Sequence, residues 1–247
     1  MAALENNLIQ VSDTVYLART RLVNWTLVTG DDGLILIDAG YPAQRDEVLA
    51  TIRQVGYDIA DLRAILLTHA HIDHFGTAIW FAAQYGTPVF CHADEVGHAK
   101  REYLEQASPV DVVLQVWRPR WLAWSLEIVR KGAFVHDGIP TAEVFSSEIA
   151  ATLPGQPQAI PTPGHTGGHC SYVVDGMLVS GDALVTGHPT STTLGPQLLH
   201  KVFNHDEKGC ARSLNALAQL ETDVLIPGHG EIWRGPIHEM ADQALRR

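Results

Sequence analysis

The sequence has few cysteines, few basic residues and no long uninterrupted run of apolar residues. Its three cysteines, Cys91, Cys170 and Cys210, are widely spaced and form no CxxC pair. That pattern argues against a disulfide framework and predicts reduced, buried thiols. Only 17 basic residues accompany 28 acidic ones, which gives a formal net charge of −11. Because such a surface repels phosphate backbones, we do not expect nucleic acid as a partner.

The sequence has no stretch of about 18 uncharged apolar residues, so no membrane partner or membrane span is expected. Residues 1–7, MAALENN, have no basic start and open no apolar run of signal-peptide length, and we therefore expect a cytoplasmic protein. With 247 residues, of which 46% are hydrophobic and 18% charged, the chain is typical of a globular enzyme. We expect a single domain over residues 1–247, and a homo-oligomer stays open.

Strand and helix patterns alternate along the chain without a strict βαβ order. β-rich runs predict strands at 15–18, 25–29, 34–38 and 64–68, and Asp175-Gly176 predicts a hairpin turn. Apolar periodicity predicts helices over 42–55, 77–85, 93–106, 207–220 and 237–246. These patterns favour an α/β (α+β) protein with a mixed or antiparallel sheet system and helices outside it.

Four candidate metal ligands, His69, His71, Asp73 and His74, stand within the six residues HAHIDH, directly after the predicted strand 64–68. On an extended segment side chains alternate, so His69 and His71 would point to one side. Asp73 and His74 would reach a second metal position, beside the one that His69 and His71 share. Imidazoles and a carboxylate are ligands suited to zinc, iron or similar ions. The segment therefore predicts a metal site.

Three further candidate ligands follow predicted strands in short loops. His165 lies in PGHTGGH, Asp182 in SGD and His229 in PGHG. Loops at strand ends hold functional side chains on a rigid scaffold, which is the placement that a metal site requires.

These four motifs, in this order, make the sequence resemble the metallo-β-lactamase-fold superfamily, and within it the HxHxDH-type glyoxalase II and lactonase branches. The resemblance runs from LIDAG at 36–40 to Gly230. It implies a four-layer αββα sandwich, with the site along one edge of two facing sheets.

The resemblance also assigns roles to residues. It implies a first metal held by His69, His71 and His165, and a second held by Asp73, His74 and His229, with Asp182 bridging the two. Asp38 resembles a family carboxylate beneath the metal loop, and His169 follows the first-metal loop. We expect these two to support ligands without binding metal.

The expected cofactors are two divalent ions, with Zn2+ first and iron or manganese as alternatives. A hydroxide bridging them would attack a carbonyl, and Asp73 would orient it and accept its proton, which makes Asp73 and Asp182 the predicted catalytic residues. We predict hydrolysis of an ester, thioester or lactone in a small-molecule substrate.

Other branches of the superfamily fit less well. Glyoxalase II proteins carry a C-terminal helical segment for glutathione, whereas only residues 231–247 follow Gly230. Lactonases carry a tyrosine three residues after the bridging aspartate, where this sequence has Val185. Two alternatives stay open: a mononuclear-iron persulfide dioxygenase and an amide hydrolase of the β-lactamase kind.

A helical insertion at about 108–137 is the expected substrate-selecting part, because it interrupts the common pattern after the metal loop. Trp117, Trp121 and Trp124 fall there at helical spacing. They are interpreted as core, as a dimer contact or as a lid over an apolar substrate. His188 and His200 follow the bridging aspartate and are predicted to border the same pocket.

Overall fold

The computed structural model describes residues 8–247, and in that range two β-sheets pack face to face. The first sheet has the order β1-β2-β3-β4-β5-β6-β7 and the second the order β12-β11-β10-β9-β8. The strands of the first sheet are Leu8–Gln10 (β1), Val15–Ala18 (β2), Trp25–Gly30 (β3), Gly33–Ile37 (β4), Leu62–Leu66 (β5), Val89–Cys91 (β6) and Glu143–Val144 (β7). Those of the second are Gln158–Pro161 (β8), Cys170–Val174 (β9), Met177–Gly181 (β10), Val224–Pro227 (β11) and Trp233–Arg234 (β12).

The helices of the described residues surround the two sheets, and the first three and the last two of them in chain order cover the outer faces. They are Arg45–Gln54 (α1), Ile72–Tyr85 (α2), Val96–Ala99 (α3), Pro109–Val113 (α4), Pro119–Arg130 (α5), Ser147–Ala150 (α6), Glu207–Leu217 (α7) and Ile237–Leu245 (α8). Short 3-10 turns lie at Pro42–Gln44, Ile59–Asp61, Ala93–Glu95 and Lys201–Phe203.

The alternation of side chains along β4 shows how the layers form. Ile35 and Ile37 point into the space between the sheets, where they join Tyr172 and Ile226 of the second sheet. Leu34 and Leu36 point the other way, into a cluster with residues of α1 and α2. Because both faces of β4 are covered, all five of its residues are buried. A third cluster joins the second sheet to α7 and α8, so the fold is the expected four-layer αββα sandwich.

Mixed strand directions position the functional loops. In the first sheet β1 to β4 pair antiparallel, whereas β4, β5, β6 and β7 run parallel. In the second sheet β10 and β11 are the parallel pair. The carboxyl ends of parallel neighbours lie at one edge, so the loops after β4, β5, β10 and β11 can meet there.

Two predicted helices differ from those observed. The helix predicted over 77–85 begins five residues earlier, at Ile72, inside the HAHIDH segment. The helix predicted over 93–106 is limited to the turn Ala93–Glu95 and α3, since the chain turns at Arg101, whose φ is 63°. Residues 1–7, part of the segment used to predict cytoplasmic location, lie outside the described residues. From residue 8 onward, no helix combines the length and apolarity needed to cross a membrane.

Candidate metal centre

Seven side chains from four loops and the first turn of α2 converge at one edge of the sandwich. The loop after β5 carries His69 and His71, and α2 carries Asp73 and His74. The second sheet supplies the remaining three from the β8–β9 loop, the end of β10 and the end of β11, namely His165, Asp182 and His229. Three sets of these side chains have ligand atoms within 4.8 Å of one another: a first set of His69, His71 and His165; a second set of Asp73, His74 and His229; and a connecting set of His69, His74 and Asp182.

The HAHIDH segment is not extended throughout. His71 has extended backbone angles and immediately precedes α2, so Asp73 and His74 lie in the first turn of a helix. An acidic residue is stabilised there by the helix dipole. The turn separates the motif into two parts, with His69 and His71 in the loop and Asp73 and His74 on the helix.

Each histidine of the first set has its outer ring nitrogen fixed by a partner. His71 Nε2–H donates to the carbonyl oxygen of Glu105 at 2.5 Å, and His165 Nδ1–H donates to Asn204 Oδ1 at 3.1 Å. The Thr68 hydroxyl donates to Asp38, so it accepts from His69 Nδ1 at 3.0 Å. The inner nitrogens of the three neutral rings therefore carry lone pairs.

The second set is arranged in the same way. His74 Nδ1–H donates to Asp38 Oδ2 at 2.8 Å, and His229 Nδ1–H donates to the carbonyl oxygen of Leu22 at 2.6 Å. Asp73 Oδ2 lies 3.8 Å from His74 Nε2 and 3.6 Å from His229 Nε2. Asn24 holds the PGHG loop, because its side-chain amide donates to the carbonyl oxygens of residues 227 and 230 at 2.9 Å each.

Asp182 lies between the two sets. Its Oδ1 is 3.4 Å from His74 Nε2, and its Oδ2 is 3.4 Å from His165 Nε2 and 3.3 Å from His229 Nε2. The approach depends on Gly228, because a Cβ at that position would lie 2.5 Å from Asp182 Oδ1. The glycine of PGHG thus makes room for the carboxylate.

Asp38 and His169, the two residues expected to support ligands, lie behind this arrangement. Asp38 follows β4 with φ of 63°, and its buried carboxylate accepts from the Thr68 amide and hydroxyl and from His74, each at 2.8 Å. His169 Nε2 accepts from the Asp182 amide at 3.1 Å, while its Nδ1–H donates to Thr162 Oγ1 at 2.8 Å. Both residues orient a site side chain or its backbone.

Two acidic residues that connect the loops are not evident from the sequence. Glu95 is fully buried and accepts from the Ala70 amide at 2.7 Å and from the Thr166 hydroxyl at 2.8 Å. It therefore links the HAHIDH loop to the PGHTGGH loop. Glu105 fixes His71 through its carbonyl oxygen and accepts from the Gly167 amide at 2.6 Å. Neither acid lies in a recognisable motif, so their roles depend on contacts between distant segments.

The pKa values of the first set favour neutral rings. Burial lowers the pKa of His71 to about 3, with His98 adding to the effect, and burial with His71 nearby lowers that of His165 to about 4. Burial, followed by the neighbouring histidines, also holds the pKa of His69 well below its ordinary value. Neutral imidazoles are the form that binds a metal ion.

In the second set the charges act in the opposite direction. Burial alone would lower the pKa of His74 and of His229, but Asp182 and other nearby carboxylates outweigh it and raise both. Burial would likewise raise the pKa of Asp182, whereas His229 and His74 hold it well below its usual range. The carboxylates therefore favour a positive charge in this set, on a histidine ring or on a bound ion.

The donor atoms fit bound cations. His165 Nε2 and His71 Nδ1 are 2.9 Å apart although both carry lone pairs, and His74 Nε2 lies 3.4 Å from His229 Nε2. Among residues 8–247, His69 Nε2 and Asp182 Oδ1 are buried without a hydrogen-bond partner. Buried polar atoms are seldom left unpaired, and a cation coordinated by nitrogen and oxygen would satisfy all of them.

A cavity of about 410 Å³ opens onto these side chains. Asp73, Asp182 and His229 lie in its wall together with Tyr41, which the sequence analysis did not single out. The remainder of the wall is largely apolar and comes mostly from α4, α5 and the segment after α5, including Val112, Val113, Val116, Trp124, Ile128, Val129 and Phe134.

Only part of the predicted pocket lines this cavity. Trp124 and His188 do. Trp117 does not, because it precedes α5 and points outward with 75% of its surface exposed. Trp121 is buried behind the wall, where its ring stacks on Phe203 at 5.3 Å, and His200 lies beyond it. The helical spacing of the tryptophans did not reveal which of them would face the cavity.

All three cysteines are buried and unpaired, as expected. Burial raises the pKa of Cys170 and of Cys210 to about 12, so these thiols are poor nucleophiles at neutral pH.

Comparison with known proteins identifies the family of the chain. The family model described as the metallo-beta-lactamase superfamily matches residues 18–229. The chain is 30% identical over 233 residues to the uncharacterized protein YobT of Bacillus subtilis, covering 91% of this chain and 90% of that protein. It is 28% identical over 216 residues to the probable metallo-hydrolase YflN of the same organism, covering 79% of this chain and 75% of that protein.

Solved structures show the same fold. A metallo-beta-lactamase family protein from Thermus thermophilus aligns with a TM-score of 0.64 at 21% identity, over 94% of this chain and 78% of that one. A metallo-beta-lactamase from Cronobacter sakazakii aligns with a TM-score of 0.65 at 19% identity, over 97% and 92%. With the family match across most of its length, the chain belongs to the metallo-beta-lactamase superfamily of metal-dependent hydrolases.

Proposed function

We propose that this protein is a dinuclear-metal hydrolase that cleaves an ester, thioester or lactone bearing an apolar group. The observation that carries the proposal is the convergence of seven donor side chains beside an apolar cavity, with the inner nitrogens of His69, His71 and His165 free of protons. A single ion would leave part of this donor set unused, so two ions account for it better than one.

The proposed ligand assignment follows the donor sets. His69, His71 and His165 would hold one ion, and Asp73, His74 and His229 the other. Asp182 would bridge them, because its two oxygens lie within 3.4 Å of nitrogens from both sets. Zinc fits the borderline nitrogen and oxygen donors, and iron or manganese would fit them too.

Bound divalent ions would supply Lewis acidity and make water nucleophilic at neutral pH. The residues of the chain do the rest. Asp73 has a carboxylate that is partly exposed in the cavity wall, so it can accept a proton from an attacking water there. Asp38 and His169 keep His74 and Asp182 oriented, and the apolar wall excludes bulk water from the reacting group.

The shape of the cavity supports an apolar substrate. The wall contributed by α4 and α5 combines valines with Trp124, and burying such surface against an acyl chain contributes about 25 cal/mol per Å². No lysine or arginine lies in the wall formed by the described residues, so a strongly anionic substrate would lack a partner. We therefore propose that the helical insertion binds the acyl or aryl part while the seven ligands face the scissile bond.

The test is a metal analysis combined with a substrate panel. The protein is expressed with added zinc, iron or manganese, and elemental analysis counts bound ions. Each preparation is then assayed with aryl esters, thioesters and lactones of increasing acyl length. We expect about two ions per chain and kcat/KM that rises with acyl length. An Asp182→Ala preparation made in parallel measures the background from contaminating hydrolases.

Two other results would redirect the assignment. One tightly bound iron, with oxygen consumption on a persulfide and no ester cleavage, would favour the dioxygenase. Turnover of a β-lactam above that of every ester and lactone would favour the amide hydrolase. Either result would overturn the proposal made here.

A further inference from the structure

His188 occupies a distinctive place beside the candidate metal centre. It follows β10 by seven residues and lines the same cavity as Asp73, Asp182 and His229. Its ring centroid lies 4.8 Å from that of His229. The ring centroids of Trp124 and Phe203 lie 5.7 and 5.1 Å from that of His188. The ring is therefore held in place by aromatic neighbours.

Hydrogen bonds determine where the proton on this ring lies. The backbone amide of Thr190 donates to His188 Nδ1 at 3.2 Å, and the Thr190 hydroxyl lies 2.7 Å from the same nitrogen. Since an amide can only donate, Nδ1 carries a lone pair and the hydroxyl donates to it as well. A histidine with an unprotonated Nδ1 carries its proton on Nε2. No residue within 8–247 accepts a hydrogen bond from that Nε2–H.

We propose that His188 is a catalytic residue that donates its Nε2–H to the oxygen of the scissile carbonyl as negative charge develops there. The inference rests on the proposed hydrolysis of an ester, thioester or lactone. It deepens that function by naming a donor that is not among the seven ligands. His188 forms no covalent bond and transfers no proton in this role.

The ligand side chains of the inner wall cannot supply such a donor. The carboxylates of Asp73 and Asp182 only accept hydrogen bonds, and the inner nitrogens of the ligand histidines would be taken up by the bound ions. A carbonyl oxygen is also an acceptor, so none of these groups can donate to it. A fixed neutral N–H in a partly dry cavity stabilises developing oxyanion charge without reorganising during the reaction.

Three substitutions separate this role from packing. His188→Phe keeps an aromatic ring against Trp124 and Phe203 but removes the donor. His188→Gln places an amide N–H near the position of Nε2. His238→Phe, at an exposed histidine on α8, is the matched control. All are compared with the zinc-loaded wild-type protein for zinc content, thermal stability, kcat and KM.

We expect His188→Phe to lower kcat about 10- to 100-fold with little change in KM, because one oxyanion donor is lost. Zinc content and melting temperature should stay at wild-type values. His188→Gln should recover part of the loss, and His238→Phe should match the wild type. The kcat values for an oxygen ester and for a thioester with the same acyl group should fall by the same factor, since both substrates have the carbonyl oxygen that accepts the hydrogen bond.

Several outcomes would overturn the inference. Wild-type turnover by His188→Phe would make the ring a packing element, and loss of zinc would make it a support for His229. A loss confined to the oxygen ester would place the donor at the leaving group. Disappearance of the acidic limb of the pH–kcat/KM profile would make His188 a general base.

A second measurement separates this inference from the proposed function. Nitrogen NMR of the zinc-loaded protein, labelled at histidine, reports which nitrogen of His188 carries the proton. A proton on Nδ1 would refute the donor role even in an active hydrolase. A proton on Nε2 in a protein that cleaves no ester, thioester or lactone would refute the proposed function, and with it the role in carbonyl activation.

Discussion

Replacing Asp38 with asparagine should weaken the site of His74 more than the site of His69, which depends on Asp38 only through the Thr68 hydroxyl. Asp38 Oδ2 accepts from His74 Nδ1 and from Thr68 Oγ1, and Oδ1 accepts from the Thr68 amide, all at 2.8 Å. Asparagine has the same shape and tolerates the left-handed backbone at this position, where φ is 63°. The substitution therefore changes hydrogen bonding with little change in packing.

The size of the loss in metal affinity follows from the hydrogen-bond acceptors that the substitution removes. An amide has one acceptor oxygen, and if that oxygen serves the Thr68 amide, the NH2 group faces His74 Nδ1. His74 would then accept at Nδ1 and carry its proton on Nε2, the nitrogen that faces Asp182 and His229. A protonated Nε2 cannot bind metal. Loss of such an outer partner lowers metal affinity about 10- to 100-fold, or about 1.4 to 2.8 kcal/mol.

The assay is a zinc titration of the metal-free protein in competition with a chromophoric chelator. The wild-type protein should bind two ions tightly, whereas Asp38→Asn should bind one tightly and the second about 10- to 100-fold more weakly. Asp175→Asn, in the exposed β9–β10 turn with φ of 49°, is the matched control for an aspartate with left-handed backbone. Unchanged affinity for both ions, or an equal loss at both, would refute the role assigned to Asp38.

Three further predictions concern the bridging residue, the cavity wall and pH. Asp182→Ala should reduce turnover at least about 100-fold and release metal while the protein keeps its fold, and two retained ions with near-wild-type turnover would contradict bridging. Trp124→Leu should raise KM for long acyl substrates about 10-fold and for acetyl esters much less, because it removes apolar contact area. Trp117→Leu, the control, should change neither KM. An equal rise in KM for all acyl lengths would contradict the acyl-binding wall. For the metal-free protein, burial lowers the pKa values of His69, His71, His165, His169, His188 and His200, whereas nearby carboxylates raise those of His74 and His229. A lowered histidine pKa costs stability as pH falls through about 6.5 and a raised one adds stability, so the metal-free protein should be less stable at about pH 5.5 than at about pH 7.5. Urea unfolding at the two pH values measures it, and equal stability would contradict the prediction.

The strands and the loops that follow them could be predicted from the sequence because their signals are local. Apolar runs that lead into HAHIDH, SGD or PGHG identify a strand and place its end to within about two residues, and parallel neighbours then bring the loops together. The supporting role of Asp38, which follows β4, was predicted only through the resemblance to a known family. The four layers could be expected only through the resemblance to a known family.

The parts that could not be predicted depend on contacts between distant segments. Periodicity did not show that α2 begins at Ile72, since HAHIDH fits both a loop and a helix start. The roles of Glu95 and Glu105 require loops that come from opposite halves of the chain. The rotation of α5 about its axis, which places Trp124 in the cavity wall and Trp121 behind it, is set by packing against Phe203.

Each proposed ion would be held by ligands from both halves of the chain, so metal binding should restrain local opening of the protein. His71 and His165 are separated by 94 residues and His74 and His229 by 155, so each proposed ion would join the two sheets across this edge. The middle of the sandwich is held independently by its buried core. Chelation should therefore open the edge locally, accelerating amide hydrogen exchange in residues 69–74, 162–169 and 228–230 while β4 and β9 stay protected. A protein of this design would lose its reaction centre by a local opening well before it unfolds, and restored metal could close the same edge without refolding the chain.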